Sequence, residues 1–460
     1  MEKFNAIYWI VIVNLTLYFK TLRFKFVSDD FSVYHSPPEY KNRFHKRWLQ
    51  FTGQMKLISK TFNFYRDNGK WKFAIIQTAE QEHLLALMLH ILICILIYIA
   101  FGKSQISFVA ALLYATNPVN NQGTIWPGGR GYALPIACLL LAMAVPLTAP
   151  VALGFCSWYT IGFLAPLALI GSSKWYLVGW MPLIWLLHSR KWSTALKSKA
   201  KIESFDEDKV SLKPKKFVIL IKTFGFYLTL CLFPHKITFY HSFLQSMSGS
   251  GKDKAQTIWD KYFWIGAIAI CSFVFYIAQV QWSTLHWSLF AFFITIIPFC
   301  NFIRANQEIA ERFCALPNVF LMLALSHLIA SYSFLVAAFV IFYATRTFYT
   351  LIMYKDEYFI TELAILEDPN AWYAWHVRAH KRWDTQSYKE ALIMWVMARL
   401  ISPREFKILM NISTCLRMLK NDKEADAFLR LAKECIVPGQ EKQSLEFIEA
   451  HRKGKLPILL

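Results

Sequence analysis

Two neighbouring carboxylates, Asp29 and Asp30, follow the first apolar run of the chain. Adjacent carboxylates near a membrane surface repel each other and resist desolvation, so the pKa of at least one of them is expected to rise. A carboxylate with a raised pKa can take a proton from a hydroxyl group, and the pair is therefore a candidate general base. A solvated loop or a helix cap remains the alternative, because a bare Asp-Asp pair fits either role.

Two arginines, Arg130 and Arg312, lie at the edges of apolar runs. Charged side chains are costly at such places and often serve a function. A guanidinium group presents planar, paired donors that match a phosphate group, so either arginine could bind one. Glu311 precedes Arg312 and could orient it or pair with it. The alternative is that each arginine only extends from a helix end toward the lipid headgroups.

Two further polar clusters border the apolar runs. His83 and His90 stand seven positions apart and so share one helix face. Metal-binding histidines on a helix usually stand about three or four positions apart, so we expect a packing or hydrogen-bonding role for this pair. The other cluster consists of Asn117, Asn120 and Gln122, in the third loop of the chain.

The apolar runs that surround these residues indicate a membrane protein. The chain has 460 residues, of which 56% are hydrophobic and 17% are charged, whereas about a quarter of the residues of a soluble domain are charged. A run of about 18 apolar residues can cross a bilayer, and the sequence predicts about eleven such spans in an all-α bundle. Prolines in the fourth to sixth runs predict broken or tilted helices. The predicted spans are residues 4–22, 83–101, 106–117, 132–147, 149–170, 174–188, 217–234, 263–281, 284–303, 313–330 and 334–353.

The formal charge of +20 arises largely from Lys and Arg in the loops between these runs. This placement favours membrane topology and anionic lipid over nucleic acid as its cause. The strongly basic loop 189–216 is predicted to be cytoplasmic. The segment 23–82, the loops 118–131, 235–262 and 304–312, and the tail then face the other side. The Lys and Arg residues of the first segment oppose this orientation, but long segments cross largely regardless of charge.

The nine cysteines predict neither a disulfide framework nor a zinc or redox site. Most of them lie inside apolar runs, where cysteine behaves as a small hydrophobic residue, and none forms a CxxC pair. The sequence indicates no bound cofactor and leaves a divalent metal ion open.

Residues 354–460 differ in composition from the membrane domain, residues 1–353, because charged and polar residues return. Within this tail Ala391 and Ala398 recur 34 positions later, as Ala425 and Ala432. A 34-residue period with small residues at the helix contacts is typical of tetratricopeptide repeats. An ordinary pair of helical hairpins is the alternative.

In order and spacing, these clusters resemble those of the transmembrane and tetratricopeptide-repeat O-mannosyltransferases. This family belongs with the protein O-mannosyltransferases in the GT-C glycosyltransferase fold, and the resemblance covers nearly the whole chain. The residues that carry it are Asp29, Asp30, His83, Leu84, His90, Asn117, Pro118, Asn120, Gly129, Arg130, the stretch 232–236 with His235 and Lys236, and the stretch 311–317 with Glu311 and Arg312.

The third loop departs from the family pattern. The family has His, His and Glu where this chain has Asn117, Asn120 and Gln122, and it has Asp where this chain has Tyr132. A different sugar, a different lipid carrier or a weakened activity would each account for the change.

The resemblance implies a GT-C-like bundle that transfers a sugar such as mannose from a polyprenyl-phosphate donor to a hydroxyl group of a protein or glycan, with inversion. Asp29 would act as the base beside Asp30, and Arg130 and Arg312 would bind the donor phosphate. The residues expected to support them are Glu311, His83, Asn117, Asn120, Gln122, His235 and Lys236.

The resemblance also implies that the tail binds a protein partner or acceptor. The expected location is a bacterial inner membrane or the endoplasmic reticulum, with the site and the tail on the non-cytoplasmic side. The main alternative is a non-catalytic scaffold anchored in the membrane, which the changed third loop favours. A transporter is a further alternative, although no repeated halves are evident in the sequence.

Overall fold

The chain is largely helical wherever its structure is described. The computed structural model describes residues 3–27, 63–67, 70–74, 79–156, 168–170, 172–180, 213–242, 259–279, 283–300, 309–436, 441–454 and 458–459. Within these residues one antiparallel hairpin, formed by β1 (Asn63–Asp67) and β2 (Lys70–Ala74), accompanies the helices. The predicted helical character is thereby confirmed for the described part of the chain.

The chain divides into two compact units. The first consists of Met1–Ala195, Lys216–Ile237 and Lys261–Glu357, and the second of Leu196–Lys215, Thr238–Asp260 and Tyr358–Leu460. The helices of the first unit are α1 (Lys3–Tyr18), α2 (Ala79–Ala100), α3 (Gln105–Thr116), α4 (Asn121–Thr124), α5 (Arg130–Ala144), α6 (Ala149–Cys156), α7 (Lys213–Leu232), α8 (Lys261–Gln279), α9 (Thr284–Ile296), α10 (Ala315–Ile329) and α11 (Ser333–Thr350). Its 3₁₀ turns are Phe19–Arg23, Pro118–Asn120, Pro127–Gly129, Pro146–Thr148, Trp175–Trp180, Ile297–Phe299, Glu311–Cys314 and Leu351–Tyr354.

Four helices of the described part, counted with their adjoining turns, are long and apolar enough to cross a membrane. They are Asn5–Arg23, Ala79–Ala100, Glu311–Ile329 and Ser333–Tyr354. Further apolar helices in the same unit are shorter, and the turn Pro146–Thr148 separates α5 from α6, where the prolines of the sequence predict a break. In length and composition, therefore, the first unit has the helices of a membrane protein.

The short helix α3 lies at the centre of the first unit. It packs against α1, α2, α10 and α11, and its residues Ala110, Ala111 and Ala115 are fully buried. Two hydroxyl groups from neighbouring helices bind its last turn. Tyr18 donates to the carbonyl oxygen of Ala115 at 2.8 Å, and Thr347 donates to that of Thr116 at 2.6 Å. Small side chains and bound carbonyl groups let this helix contact four neighbours at once.

The first and last apolar helices of this unit are joined near their ends. The Lys20 ammonium group donates to the carbonyl oxygen of Phe348 at 3.1 Å. Further along both chains, the backbone N–H of Lys25 donates to the carbonyl oxygen of Lys355 at 2.9 Å. The residue numbers rise together in the two contacts, so α1 and α11, with the turns that follow them, run in the same direction.

Two glycines let α7 and α8 cross with their backbones in contact. A Cβ atom on Gly225 would lie 1.9 Å from the carbonyl oxygen of Tyr262, and a Cβ atom on Gly266 would lie 2.1 Å from that of Ile221. Both obstacles are backbone atoms of the opposite helix, which a side-chain movement cannot clear. The crossing therefore requires glycine on both helices, as is common where apolar helices approach closely.

The tail contains α12 (Glu357–Glu367), α13 (Trp372–Asp384), α14 (Tyr388–Ile401), α15 (Phe406–Met418), α16 (Asp422–Glu434) and α17 (Glu441–Arg452). The helices pack in sequence, with α13 against α14 and α15 against α16. A buried carboxylate, Asp368, fixes the segment before the second helix of the tail. It accepts hydrogen bonds from the backbone N–H of Ser242 at 2.8 Å and from its hydroxyl group at 2.7 Å.

The 34-residue period of the sequence is also a period of the tail structure. The first residues of α15 and α16 follow those of α13 and α14 by 34 positions, and the turns between the paired helices contain left-handed residues at Gln386 and Lys420, again 34 apart. Ala391, Ala398 and their counterparts 34 residues later are fully buried. The small residues thus occupy the same place in two successive helix pairs.

Two histidines of α13, His376 and His380, face each other inside the tail. Their Nε2 atoms are 3.3 Å apart. Burial lowers the pKa of His376 to about 3, and repulsion from Lys407 and from the protonated form of His380 adds to this shift. Burial also lowers the pKa of His380. Both imidazole rings are therefore neutral in the folded tail at neutral pH.

We expect the tail to lose stability as the pH falls below 6.5, the ordinary pKa of histidine. Because the folded-state pKa is lowered, the contribution of His376 to stability is complete above the unfolded-state pKa and is lost as the pH falls toward the folded value. At pH 5.5 the loss from His376 is on the order of 1 kcal/mol. The stability of the tail at each pH is measured by hydrogen exchange in residues 372–434, corrected for the intrinsic pH dependence of exchange. In His376→Phe the stability of the tail is expected to depend less on pH. If stability falls as steeply with pH in this variant as in the unaltered protein, His376 is not the cause.

Candidate functional site

The structure brings the third loop against the turn Glu311–Cys314. The turn Pro118–Asn120 and the short helix α4 both pack on it. A Cβ atom on Gly123 would lie 2.6 Å from the Cβ of Ala315, and one on Gly129 would lie 2.0 Å from the carbonyl oxygen of Gln122. Glycine at these two positions therefore allows the loop to fold on itself and to contact the turn that contains Arg312.

Arg312 is held at both its backbone and its side chain. The side-chain oxygen of Gln122 accepts a hydrogen bond from the backbone N–H of Arg312 at 3.0 Å. The Arg312 Nε donates to the hydroxyl group of Tyr132 at 3.2 Å. The guanidinium carbon lies 5.8 Å from the ring centroid of Tyr132 and 5.3 Å from that of Phe313. Rings at these distances attract a cation, so the guanidinium group is fixed in one place before any ligand binds.

The third-loop asparagines brace the loop. Asn117 donates to the carbonyl oxygen of Cys231 at 2.8 Å and accepts from the backbone N–H of Val119. Asn120 donates to the carbonyl oxygen of Tyr114 at 2.8 Å and accepts from Asn318 at 3.0 Å. Asn117, Asn120 and Gln122 are fully buried. The amide groups of the two asparagines therefore hold the loop to α3, α7 and α10. The amide group of Gln122 holds it to the turn Glu311–Cys314.

Tyr132 and Asn318 contribute to this cluster although the sequence pattern did not assign them a role. Tyr132 was noted only as a departure from a family pattern, yet it is a neutral hydrogen-bond partner of Arg312. Asn318 follows a proline within the apolar helix α10 and is fully buried. A polar side chain inside an apolar helix is the signal that could have identified it.

His83 and His90 have different surroundings. The Nε2 atom of His83 lies 3.3 Å from the carbonyl oxygen of Lys25, and its ring meets that of Phe24 edge-on. His90 lies between the rings of Tyr18 and Tyr114, with centroids 5.1 and 5.9 Å away. Each histidine thus packs α2 against a different part of the bundle.

The chain segment that precedes the aspartate pair is anchored. Phe26 and Val27 are buried, and the backbone of Lys25 contacts both His83 and Lys355. The neighbouring Tyr354 is buried within electrostatic range of Glu311 and Arg312. The last described residues before Asp29 and Asp30 are thus hydrogen-bonded to Lys355, whose neighbour Tyr354 lies within electrostatic range of Glu311 and Arg312. Those two aspartates, and the side chain of Arg130, lie outside the described residues.

His235 and Lys236 follow the end of α7. The His235 Nε2 lies 2.9 Å from the hydroxyl group of Tyr262 in α8. Arg346 in α11 donates to the carbonyl oxygens of Pro234 and His235 at 3.0 and 3.1 Å. These contacts fix the end of α7 to its neighbours, and Asn117 of the third loop reaches the last turn of the same helix through the carbonyl oxygen of Cys231.

A metal site is not formed by the described part of the chain. Within the ranges given above, no three His, Cys, Asp or Glu side chains come together in a way that could hold a metal ion. The sequence leaves a divalent metal ion open and assigns it no ligands, and Asp29 and Asp30 lie outside these ranges.

The described site thus contains the Arg312 cation, whose Nε donates to the Tyr132 hydroxyl group and whose guanidinium group lies beside two aromatic rings. Its electrostatic character suits an anionic ligand, and its setting at the beginning of an apolar helix suits a ligand that reaches it from a lipid phase. Comparisons of the chain with protein-family models, with curated proteins and with solved structures find no match.

Proposed function

We propose that the chain is a multi-pass membrane glycosyltransferase of the GT-C type, which transfers a sugar from a polyprenyl-phosphate donor to a hydroxyl group with inversion. The observation that carries this proposal is the placement of Arg312 at the entrance of α10, where Gln122 binds its backbone N–H and Tyr132 binds its guanidinium group. The acceptor is a protein or a glycan, and mannose is the first sugar to test.

The phosphate of such a donor is already a good leaving group, so the reaction needs no general acid. It needs positive charge where the negative charge of the departing phosphate develops. Arg312 supplies this charge through donors that match two phosphate oxygens. Arg130 begins α5, where the free N–H groups of a helix start also favour an anion.

The acceptor hydroxyl must lose its proton as it attacks the anomeric carbon. Asp29 is the proposed base, with Asp30 positioning it or the acceptor. The anchored residues before this pair support the assignment, because they are tied through His83 and Lys355 to the same end of the bundle as Tyr354. One base suffices for inversion, in contrast to the two carboxyl groups of most glycosidases.

The proposal includes a tail of tetratricopeptide type that binds a protein partner or the protein acceptor. Its support is the 34-residue recurrence of helix starts, left-handed turn residues and buried alanines. The proposal also includes the eleven spans of the sequence pattern, with the site and the tail on the non-cytoplasmic side of a bacterial inner membrane or the endoplasmic reticulum.

A non-catalytic membrane scaffold is the second candidate. One observation favours it. The amide groups of Asn117 and Asn120, which stand where the resembling family has histidines, are used in hydrogen bonds that brace the loop. In that case the tail would bind its partner and the bundle would serve as its anchor.

The proposal is tested by the binding of polyprenyl phosphate to the purified protein in detergent. Arg312→Lys is expected to weaken binding by about 10- to 100-fold, because a lysine keeps the charge but lacks the paired donors of the guanidinium group. Tyr132→Phe removes a single hydrogen bond to Arg312 and is expected to cost about 3- to 10-fold.

Arg346→Lys is the matched control, since Arg346 is an arginine of the same unit with backbone carbonyl partners. It is expected to bind the lipid phosphate as the unaltered protein does. Equal affinity in Arg312→Lys and Arg346→Lys would remove Arg312 as the phosphate ligand and would favour the scaffold.

A further inference from the structure

The short segment 458–459 is bound through its backbone to two helices of the tail. Asn411 in α15 makes two hydrogen bonds to one residue of this segment. Its Nδ2 donates to the carbonyl oxygen of Leu459 at 2.8 Å, and its Oδ1 accepts from the N–H of Leu459 at 2.8 Å. The Nε2 of His380 in α13 lies 2.9 Å from the same carbonyl oxygen. A carbonyl oxygen can only accept, so this ring nitrogen carries the proton and donates it.

The side chains of the two residues enter separate apolar clusters. Leu459 packs with Phe406, Leu409 and Met410, in the cluster that α15 forms with α16 and α17. Ile458 packs against the other cluster, which surrounds Trp395 and joins α13 to α14. Side chains of successive residues in an extended segment point to opposite sides. Such a segment suits a site in which His380 and Asn411, here called the backbone clamp, bind the main chain and one apolar pocket lies on each side of them.

We propose that His380 and Asn411 form a binding site for the backbone of an extended apolar peptide, and that residues 458–459 occupy this site as an internal ligand. A partner peptide would then have to displace them. The inference rests on the proposed partner-binding role of the tail, but it does not depend on sugar transfer. Because the clamp contacts only an N–H and a carbonyl group of one residue, the two apolar pockets provide the specificity for the peptide.

The internal ligand has a much higher effective concentration at the site than a free peptide has. It belongs to the same chain as the site and follows α17, which ends at Arg452, and tethering through a short connection gives a ligand an effective concentration in the range of about 1 mM. A peptide present at micromolar concentration therefore competes poorly until the segment is released.

The test measures binding of a fluorescent peptide with the sequence of residues 453–460, Lys-Gly-Lys-Leu-Pro-Ile-Leu-Leu, to the purified full chain in detergent. A chain that ends after Gly454, and a full chain with Leu459→Asp, are both expected to bind this peptide at least about tenfold more tightly than the unaltered chain. If both altered chains bind it no better than the unaltered chain, the internal-ligand proposal is wrong.

The backbone clamp is tested on the peptide, so that the fold of the protein is untouched. N-methylation of the leucine that corresponds to Leu459 keeps its side chain and removes the N–H that Asn411 accepts. Binding to the shortened chain is expected to fall about tenfold, as for the loss of one buried hydrogen bond. In the shortened chain Asn411→Ala is expected to weaken binding likewise. Asn421→Ala, at a residue whose side chain makes no capping hydrogen bond, is expected to leave it unchanged.

Equal binding of the methylated and unmethylated peptides would overturn the clamp. The measurement uses no sugar donor, so the outcome is independent of whether the bundle is a glycosyltransferase. A protein that binds the peptide as expected but transfers no sugar would fit the scaffold function together with this inference.

Discussion

Asp29→Asn is expected to lower the rate of sugar transfer by about 10²- to 10⁴-fold, the usual contribution of a general base. An amide has nearly the shape of a carboxyl group but cannot take the proton of the acceptor hydroxyl. The protein should still fold and still bind polyprenyl phosphate, because the proposed phosphate ligands are Arg312 and Arg130. Transfer from polyprenyl-phosphate mannose to a peptide rich in serine and threonine is the first assay, with other sugars tested in turn.

Asp30→Asn is the matched control for this prediction, as a change of the same charge and size at the adjacent position. Its rate is expected to fall less, since Asp30 has a positioning role. The pH profile separates the two roles further. The rate of the unaltered protein should fall as the pH drops through the pKa of Asp29, and Asp30→Asn should keep that dependence. Near-normal transfer by folded Asp29→Asn would show that another group takes the proton.

Gly266→Ala is expected to destabilise the first unit by about 3 kcal/mol, at the upper end of the range for overpacked interiors. The added Cβ would lie 2.1 Å from the carbonyl oxygen of Ile221, so α7 and α8 would have to separate. Gly225→Ala should have a similar effect, because its Cβ would lie 1.9 Å from the carbonyl oxygen of Tyr262. Thermal unfolding in detergent measures both changes.

Gly179→Ala is the control for the glycine crossing. Gly179 lies in the turn Trp175–Trp180, and no atom lies within 4 Å of the position that its Cβ would take. The melting temperature of this variant is expected to stay close to that of the unaltered protein. The double variant of Gly225 and Gly266 should lose less than the sum of the single losses, because one separation of the helices relieves both contacts. Melting temperatures equal to that of the control would show that the crossing adapts without cost.

Local patterns of the sequence predicted the helical class and the positions of small residues that are buried in the tail. The buried alanines of the tail, such as Ala391 and Ala425, follow a period of the sequence, and a helix pair needs small residues at the same place in each repeat. The apolar runs likewise predicted α2 and α11, because helix length and apolar composition are read from neighbouring residues.

The partners within the candidate site could not be predicted in this way. Tyr132 and Arg312 are 180 positions apart, and Asn120 and Asn318 are 198 apart. No local period connects such residues, since their pairing depends on how α5 and α10 pack in three dimensions. The sequence could identify Arg312 as a costly charge near an apolar helix. It could not show that the hydroxyl group of Tyr132 would accept a hydrogen bond from the Arg312 guanidinium group.

The contacts of Lys20 with Phe348 and of Lys25 with Lys355 bear on whether the number of membrane crossings is odd or even. Two helices that run in the same direction through a bilayer leave it on the same side. If α1 and α11 both span a membrane, the chain must cross it an odd number of times from α1 to α11, counting both. Eleven satisfies this condition, whereas ten or twelve would not. With both helices spanning, the segment that follows α1 and the segment that follows α11 would lie on the same side of the membrane. This holds for either orientation of the basic loops.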